Sequence, residues 1–275
     1  MLGLIVLFKI IIQIFIIKPL VIVVPILISV ITATYNSGST LPRLITSFRK
    51  TKIQGIEWII IDGSSRDDTV KIIMQAADIV DQYISEVDSG IYDAWNKGLK
   101  IAKGKYIAFI GSDDTVSEHC FTEMLSALDG KHNVIAFRTA VVSNDRVEKE
   151  LNTASWQKPW NYPVNMGFSH PGTLHKSSLF SQGGFDASYK IAGDKEFLLR
   201  NASLLKPKIH VTADPLLSFY LGGVSSDVKN ILVAYDEILR MLAGTKRKTI
   251  VFYIEMVRIR LLSIFRRTGL ITGLH

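Results

Sequence analysis

The chain holds a single cysteine, Cys120, among 275 residues. That excludes an intrachain disulfide framework and a multi-cysteine zinc site, and it fits a reducing compartment. Proline and glycine are modest, at 8 and 19, which excludes a collagen-like repeat. Neither G-x-G-x-x-G nor G-x-x-x-x-G-K-[ST] occurs, which argues against a dinucleotide-binding Rossmann domain and a P-loop NTPase. H-E-x-x-H and G-x-S-x-G are missing as well. What is present, 48% hydrophobic and 21% charged residues, is a chain able to bury a sizeable core and not a disordered tail. No internal repeat, low-complexity stretch or domain linker interrupts it.

The net charge of +7 is unevenly placed. Residues 245–275 set seven basic residues against Glu255 and carry +6, residues 1–31 carry +2, and everything between carries −1. The middle of the chain is therefore no basic nucleic-acid binder. Positive charge lies beside apolar sequence at both ends, the pattern of contact with an anionic membrane surface. At the N-terminal end, residues 1–24 are almost wholly apolar but are interrupted by Lys9, Lys18 and Pro19. Three readings stand: a membrane-embedded or interfacial anchor, which is preferred, a buried helix, and sequence upstream of the true start codon. At the other end, Ile250, Ile254, Val257, Leu261, Ile264 and Phe265 fall on one face of a helix with arginines across and beside them. That spacing predicts an interfacial amphipathic helix, and it equally fits a helix packed on the catalytic domain with its arginines in water.

Between the ends, short β-branched runs alternate with helical patterns. Strands are expected over 26–33, 56–61, 79–84, 106–110, 134–142, 208–212 and 216–221. Helices are expected after a Ser39 or Thr40 cap, from about Asp68, over 91–102, after a Ser117 cap, and over 194–204, 228–242 and 250–267. Residues 152–173 read as loop. The alternation predicts an α/β fold with a doubly wound, mostly parallel sheet. In such sheets ligands bind beyond the carboxyl ends of the strands. Three strands end there in polar loops, at 33–38, 62–65 and 111–115. Asp113-Asp114 is the most informative pair: adjacent carboxylates repel unless a cation or donor compensates, and hard oxygen ligands suit Mg2+ or Mn2+. Taken alone, the pair equally fits an Asp-rich turn, as Asp62 does. Asp93, Asn96 and Lys97, at i, i+3 and i+4, share one face of a helix. Asp194, at the head of a helix, fits a general base and fits an N-cap. His170 has no cysteine or H-x-H partner and is not read as a zinc ligand.

The ordered motifs S-V-I-T-A-T-Y-N (29–36), I-I-I-D-G-S-S-R-D-D-T (59–69), D-S-G-I-Y-D-A-W-N-K-G (88–98) and G-K-Y-I-A-F-I-G-S-D-D (104–114) resemble those of family-2 glycosyltransferases, especially bacterial enzymes of surface-polysaccharide assembly. The resemblance implies a GT-A fold and inverting transfer from a nucleotide-diphosphate sugar. It divides the chain into 25–130 for the nucleotide-sugar half, 131–224 for the acceptor half, and 225–275 for C-terminal helices. It places Thr34, Tyr35, Asp62, Asp88, Asp93, Asn96, Lys97 and Asp113 about the donor, Tyr35 beside the base and Asp62 on its ring N–H. It makes Asp114 the ligand of Mg2+ or Mn2+, with Ser112 where the family motif opens on Asp, so fewer charges face the cation. Asp194 becomes the base, Glu196 the runner-up, and His170 an acceptor or diphosphate contact. The implied partners are a UDP-sugar, a saccharide or polyprenyl-linked acceptor and the anionic cytoplasmic face of the cell membrane. The rivals are a sugar-nucleotide nucleotidyltransferase, which would want a basic glycine-rich loop where residues 34–40 hold no Lys or Arg, and a non-catalytic membrane-associated binding protein of the same fold.

Overall fold

The computed structural model describes residues 25–151, 170, 172–222, 228–243 and 257. The apolar segment 1–24, most of the stretch 152–173, and the helix expected over 250–267 apart from Val257 lie outside the described residues. No described helix is long and apolar enough to cross a membrane.

The first strand, β1 (Ile28–Thr34), is buried on both faces along nearly all its length, as a central parallel strand must be. It pairs in parallel with β2 (Ile56–Asp62) on one side and β4 (Tyr106–Phe109) on the other. β3 (Gln82–Ser85) lies outside β2. It starts three residues after the expected Ile79, because the amides of Ile79 and Val80 close a turn on the Ala76 carbonyl. With β6 (Val134–Phe137), β9 (Thr173–Lys176) and β10 (Pro207–His210), the seven-stranded order is β10-β6-β9-β4-β1-β2-β3. Only β9 runs antiparallel to its neighbours. The sheet is thus mostly parallel, as expected.

Period-two alternation splits the core into two layers. Ile28, Val30, Trp58 and Ile60 face one cluster, covered by α1 (Leu41–Thr51), α2 (Thr69–Gln75) and α4 (Cys120–Ser126). There Phe48 stacks on Trp58 with ring centroids 3.9 Å apart. Ile31, Ile59, Ile61 and Phe109 face the other, covered by α3 (Ile91–Ile101) and α5 (Gly193–Arg200). Helices on both faces make the sheet doubly wound. The expected hydroxyl caps do not form. Thr40 precedes α1 with no side-chain cap bond, its hydroxyl turned to the Ser37 carbonyl. α4 begins at Cys120, while the Ser117 amide joins the Leu216 carbonyl.

The run 134–142 is not one strand. The chain changes sheets at Arg138, leaving β6 in the large sheet and β7 (Thr139–Ser143) in a second one. The Arg138 guanidinium gathers the carbonyls of Thr212 and Ala213 and the carboxylate of Glu150, and the Arg138 carbonyl takes the Leu216 amide. That exchange carries the strand out of register with the first sheet. The second sheet, β5-β11-β7-β8, adds β5 (Thr115–Val116), β8 (Arg146–Leu151) and β11 (Leu217–Tyr220). Asn144 and Asp145, with φ of 47° and 60°, close the β7–β8 hairpin as a two-residue turn of the primed kind. A last helix, α6 (Val228–Ala243), returns to pack against the turn before α5.

Candidate active site

After β1 the chain builds β2 and β3 to one side, then crosses to place β4 on the other. The reversal makes the carboxyl ends of β1 and β4 the switch point, where doubly wound sheets bind ligands. The polar loops predicted to converge there do so. The Thr34 hydroxyl donates to Asp62 Oδ1 at 3.0 Å. The Asn36 amide donates to the Ser65 hydroxyl at 2.8 Å. Ser37 and Ser112 share a hydrogen bond of 2.9 Å across the switch itself. Tyr35 stands at the rim, 63% exposed, an aromatic face open to solvent.

Asp62 is buried and accepts from the Ser65 amide and hydroxyl, the Ser85 hydroxyl and Thr34. Burial alone would raise its carboxyl, but those hydrogen bonds prevail and hold it below the usual range. It is a fixed anion at a strand end. Asp88 lies beside it, its Oδ2 only 2.6 Å from where a side chain on Gly63 would begin. Burial, and then the charges of Asp93 and Asp62, push Asp88 upward against the Gly90 amide and Lys97.

Asp113 and Asp114 close on one point. A Cβ built on Gly111 would lie 2.7 Å from Asp113 Oδ1 and 2.8 Å from Asp114 Oδ2, so glycine is needed there to leave room for both carboxylates. Asp114 is fully buried, accepting from the Gly111 amide at 3.1 Å and the Tyr220 amide at 3.3 Å. Burial and the neighbouring Asp113 raise it well above the carboxylate range; burial raises Asp113 too. Arg43, from α1, donates to the Asp113 carbonyl at 2.5 Å and lies 3.5 Å over the Tyr220 ring, bracing the loop from outside. Two desolvated carboxylates, each with an oxygen close to Gly111, form a donor set that suits Mg2+ or Mn2+, which take one or two protein carboxylates and draw other ligands from substrate phosphates. No group of three or more potential ligands occurs among the described residues.

The three residues expected on one donor-facing side of α3 do not act together. Asp93 accepts from the Ser89 amide at 2.9 Å and ties down the start of its own helix. Asn96 spends both ends of its amide on the Phe185 backbone, at 2.8 Å each. Lys97 donates to the Val87 carbonyl at 2.7 Å and pairs with Glu86 at 2.9 Å. Helical spacing put them on one face; the loops around them draw each to a separate protein partner.

Asp194 is the second residue of α5, inside the first turn and not at the cap, which is Ala192. It is half-buried, and desolvation pushes its carboxyl upward against the opposing charge of Lys195. Glu196 instead pairs with Arg200 one turn on, at 2.9 Å. His170 does not lie on an open surface. It is 4% exposed, stacked on Trp95 and Phe109 with centroids 5.1 and 5.3 Å away. Burial drives its imidazole down to about 3, so it is neutral. Two further residues serve this region without having been singled out from sequence. Tyr92 reaches Asp194 from α3, and Glu237 of α6 accepts the amides of Lys190, Ile191 and Ala192 just before α5. Tyr92 sits inside the D-S-G-I-Y-D motif; Glu237 is signalled only as an acid followed directly by the apolar pair Ile238-Leu239.

The Glycosyl transferase family 2 model matches residues 29–191, more than half of the chain, and the chain belongs to that family. A PGL/p-HBAD biosynthesis glycosyltransferase of Mycobacterium tuberculosis (strain H37Ra) is 25% identical over 240 residues, covering 84% of this chain and 89% of the relative. The Escherichia coli UDP-Glc:alpha-D-GlcNAc-diphosphoundecaprenol beta-1,3-glucosyltransferase WfaP is 42% identical over 93 residues, 32% of this chain and 36% of its own. Among solved structures, S. aureus TarS 1-349 in complex with UDP-GlcNAc superposes with a TM-score of 0.64 at 18% identity, covering 81% of this chain and 68% of that one. At that identity the likeness shows the fold, which is of GT-A type.

Proposed function

We propose that this glycosyltransferase moves a sugar from a UDP-sugar to a saccharide or polyprenyl-linked acceptor, with inversion at the anomeric carbon, in cell-surface polysaccharide synthesis. The observation that carries the reading is the switch-point crevice. Its strand-end loops, joined by the Thr34–Asp62 and Ser37–Ser112 hydrogen bonds, carry an exposed aromatic and a fixed anion, Tyr35 and Asp62, and the carboxylate pair Asp113-Asp114. The first two suit a nucleotide base, the second a cation and the diphosphate it neutralises. The UDP-linked names of WfaP and TarS support uridine, and the diphosphoundecaprenol in the first supports a polyprenyl-linked acceptor.

In this reading Asp194 takes the proton of the acceptor hydroxyl. The acceptor oxygen bonds to the anomeric carbon as that carbon's bond to the diphosphate oxygen breaks, and the electron pair leaves on UDP. Asp114, with Asp113, would hold Mg2+ or Mn2+, which when bound offsets the negative charge on the leaving diphosphate. A thermal-shift panel tests the donor. Ligand bound only by the folded state raises the melting temperature, by about 2.7 kcal/mol of stabilisation at 100 Kd. UDP-sugars with Mn2+ are expected to do so, and EDTA to reverse it. A panel in which no nucleotide-sugar moves the melting temperature contradicts the reading.

The same proposal puts the enzyme on the cytoplasmic face of the cell membrane. The +6 charge of residues 245–275 supports it, since each basic residue near anionic lipid contributes about 1 kcal/mol. With residues 1–20 removed to isolate the tail, a chain running to residue 275 should sediment with anionic liposomes in a salt-sensitive manner, and one ending at Gly244 should not. Binding indifferent to lipid charge, salt and the tail overturns this part.

A further inference from the structure

α6 reaches the site from outside the residues that the family model matches, which end at Ile191. Glu237, Ile238, Arg240 and Met241, at i, i+1, i+3 and i+4, fall on one side of that helix and meet one stretch of chain. Ile238 is buried against Ala192, with Met241 packed alongside. Arg240 lies 3.9 Å over the Tyr189 ring and donates to the Ser188 hydroxyl at 2.7 Å. Glu237, itself buried, takes three successive backbone amides: Lys190 on Oε1, and Ile191 at 3.0 Å and Ala192 at 2.8 Å on Oε2. Ala192 is the residue that opens α5, and Asp194 follows two residues later in the first turn.

Alanine has no side-chain oxygen to cap a helix start, so this end of α5 is fixed by other elements. The Tyr92 hydroxyl from α3 holds the Ile191 carbonyl at 2.6 Å, and Lys190 Nζ holds the Ser89 carbonyl at 2.6 Å, just ahead of α3. Glu237 supplies the remaining grip and the largest share of it: three hydrogen bonds to one carboxylate, each of the strong charge-assisted kind. We propose that Glu237 is a positioning residue for the base: by holding the amides of 190–192 it sets where the first turn of α5, and with it Asp194, stands relative to the switch-point crevice. This rests on the reading of Asp194 as base. A base works only within hydrogen-bond reach of the proton it takes, and a misplacement of about 1 Å can cost about 10²-fold in rate. A glutamine at 237 has one accepting oxygen in place of two. Its NH2 would face an N–H, donor against donor, and the turn would have to shift to pair its amides again.

The test is a double-mutant cycle on kcat in the full-length chain: wild type, Glu237→Gln, Asp194→Asn and the double variant. Titration of each with UDP and Mn2+ gives the fraction of chains that bind. Glu237→Gln should lower kcat by roughly 10–10² while binding UDP as fully as wild type, since its partners share none of the hydrogen bonds that join the strand-end loops. In the Asp194→Asn background the same change should cost no more than about twofold, because a base already removed cannot be misplaced. Glu237→Ala, which gives up all three amides, should lose at least as much as Glu237→Gln and show the same non-additivity. A merely structural Glu237 would lower the rate in proportion to the UDP sites lost, and its effect would multiply that of Asp194→Asn. Either result overturns the proposal, as does an unchanged kcat in Glu237→Gln. A wild-type rate in Asp194→Asn overturns the base reading itself; a slow Asp194→Asn slowed as much again by Glu237→Gln overturns only the role of Glu237.

Discussion

Asp194→Asn should lower the transfer rate by roughly 10²–10⁴, the usual share of general-base catalysis, while donor binding hardly changes. The substitution is close to isosteric and keeps a polar group against Tyr92 but removes the ability to hold a proton. Its site, in the first turn of α5, shares none of the hydrogen bonds that tie the strand-end loops together. Rates and donor-induced thermal shifts measured on the same preparation separate the two effects. Because the base acts ionised and its carboxyl is held above the ordinary value, wild-type activity should rise as pH climbs through that raised value and fall below it. The Asn variant should lose that acid limb. If Glu196→Gln is the inactive variant and Asp194→Asn is active, the base has been assigned to the wrong carboxylate, although Glu196 is engaged by Arg200.

Asp114→Asn should be as damaging for a different reason. It removes a buried charge at the point where two carboxylates converge, and the expected loss is at least roughly 10²–10³ in rate, the scale of a single contact to developing charge. The change is not free for the fold. Both Asp114 oxygens accept backbone N–H groups, from Gly111 and Tyr220, and an amide can accept with only one end. Leaving one buried donor unpaired costs about 1–3 kcal/mol, so a lowered melting temperature is expected with the fold otherwise retained. EDTA on the wild type distinguishes the two consequences, since it should remove activity with no change in the side chain. Full activity of Asp114→Asn in EDTA would contradict the metal assignment.

The donor half was legible because its signals are local. Short β-branched runs such as I-S-V-I-T-A-T and I-E-W-I-I-I-D, each followed by a polar loop, read as buried parallel strands, and a polar residue ending such a strand stands at the sheet's carboxyl edge. Asp62, Asp113 and Asp114 could thus be placed in one crevice before any coordinates. What failed depended on distant chain. Spacing put Asp93, Asn96 and Lys97 on one face; it could not say that Phe185 would claim Asn96 from 89 residues away. The split of 134–142 at Arg138 is decided by carbonyls 74 and 75 residues on. His170 reads as a loop histidine, yet Trp95 and Phe109 enclose it. Tyr92 meets Asp194 across 102 residues, and nothing in D-S-G-I-Y-D marks its hydroxyl as different from any packed tyrosine.

The most direct measurement of the central claim is the release of UDP by the purified full-length protein. UDP-sugars are supplied with Mn2+ and a polyprenyl-diphosphate-linked saccharide, and the anomeric configuration of the product is read by NMR. The account predicts acceptor-dependent UDP release, with the new bond inverted relative to the donor, lowered by roughly 10²–10⁴ in Asp194→Asn and suppressed by EDTA. A product that retains the donor configuration, or UDP release that proceeds undiminished in Asp194→Asn, would contradict it.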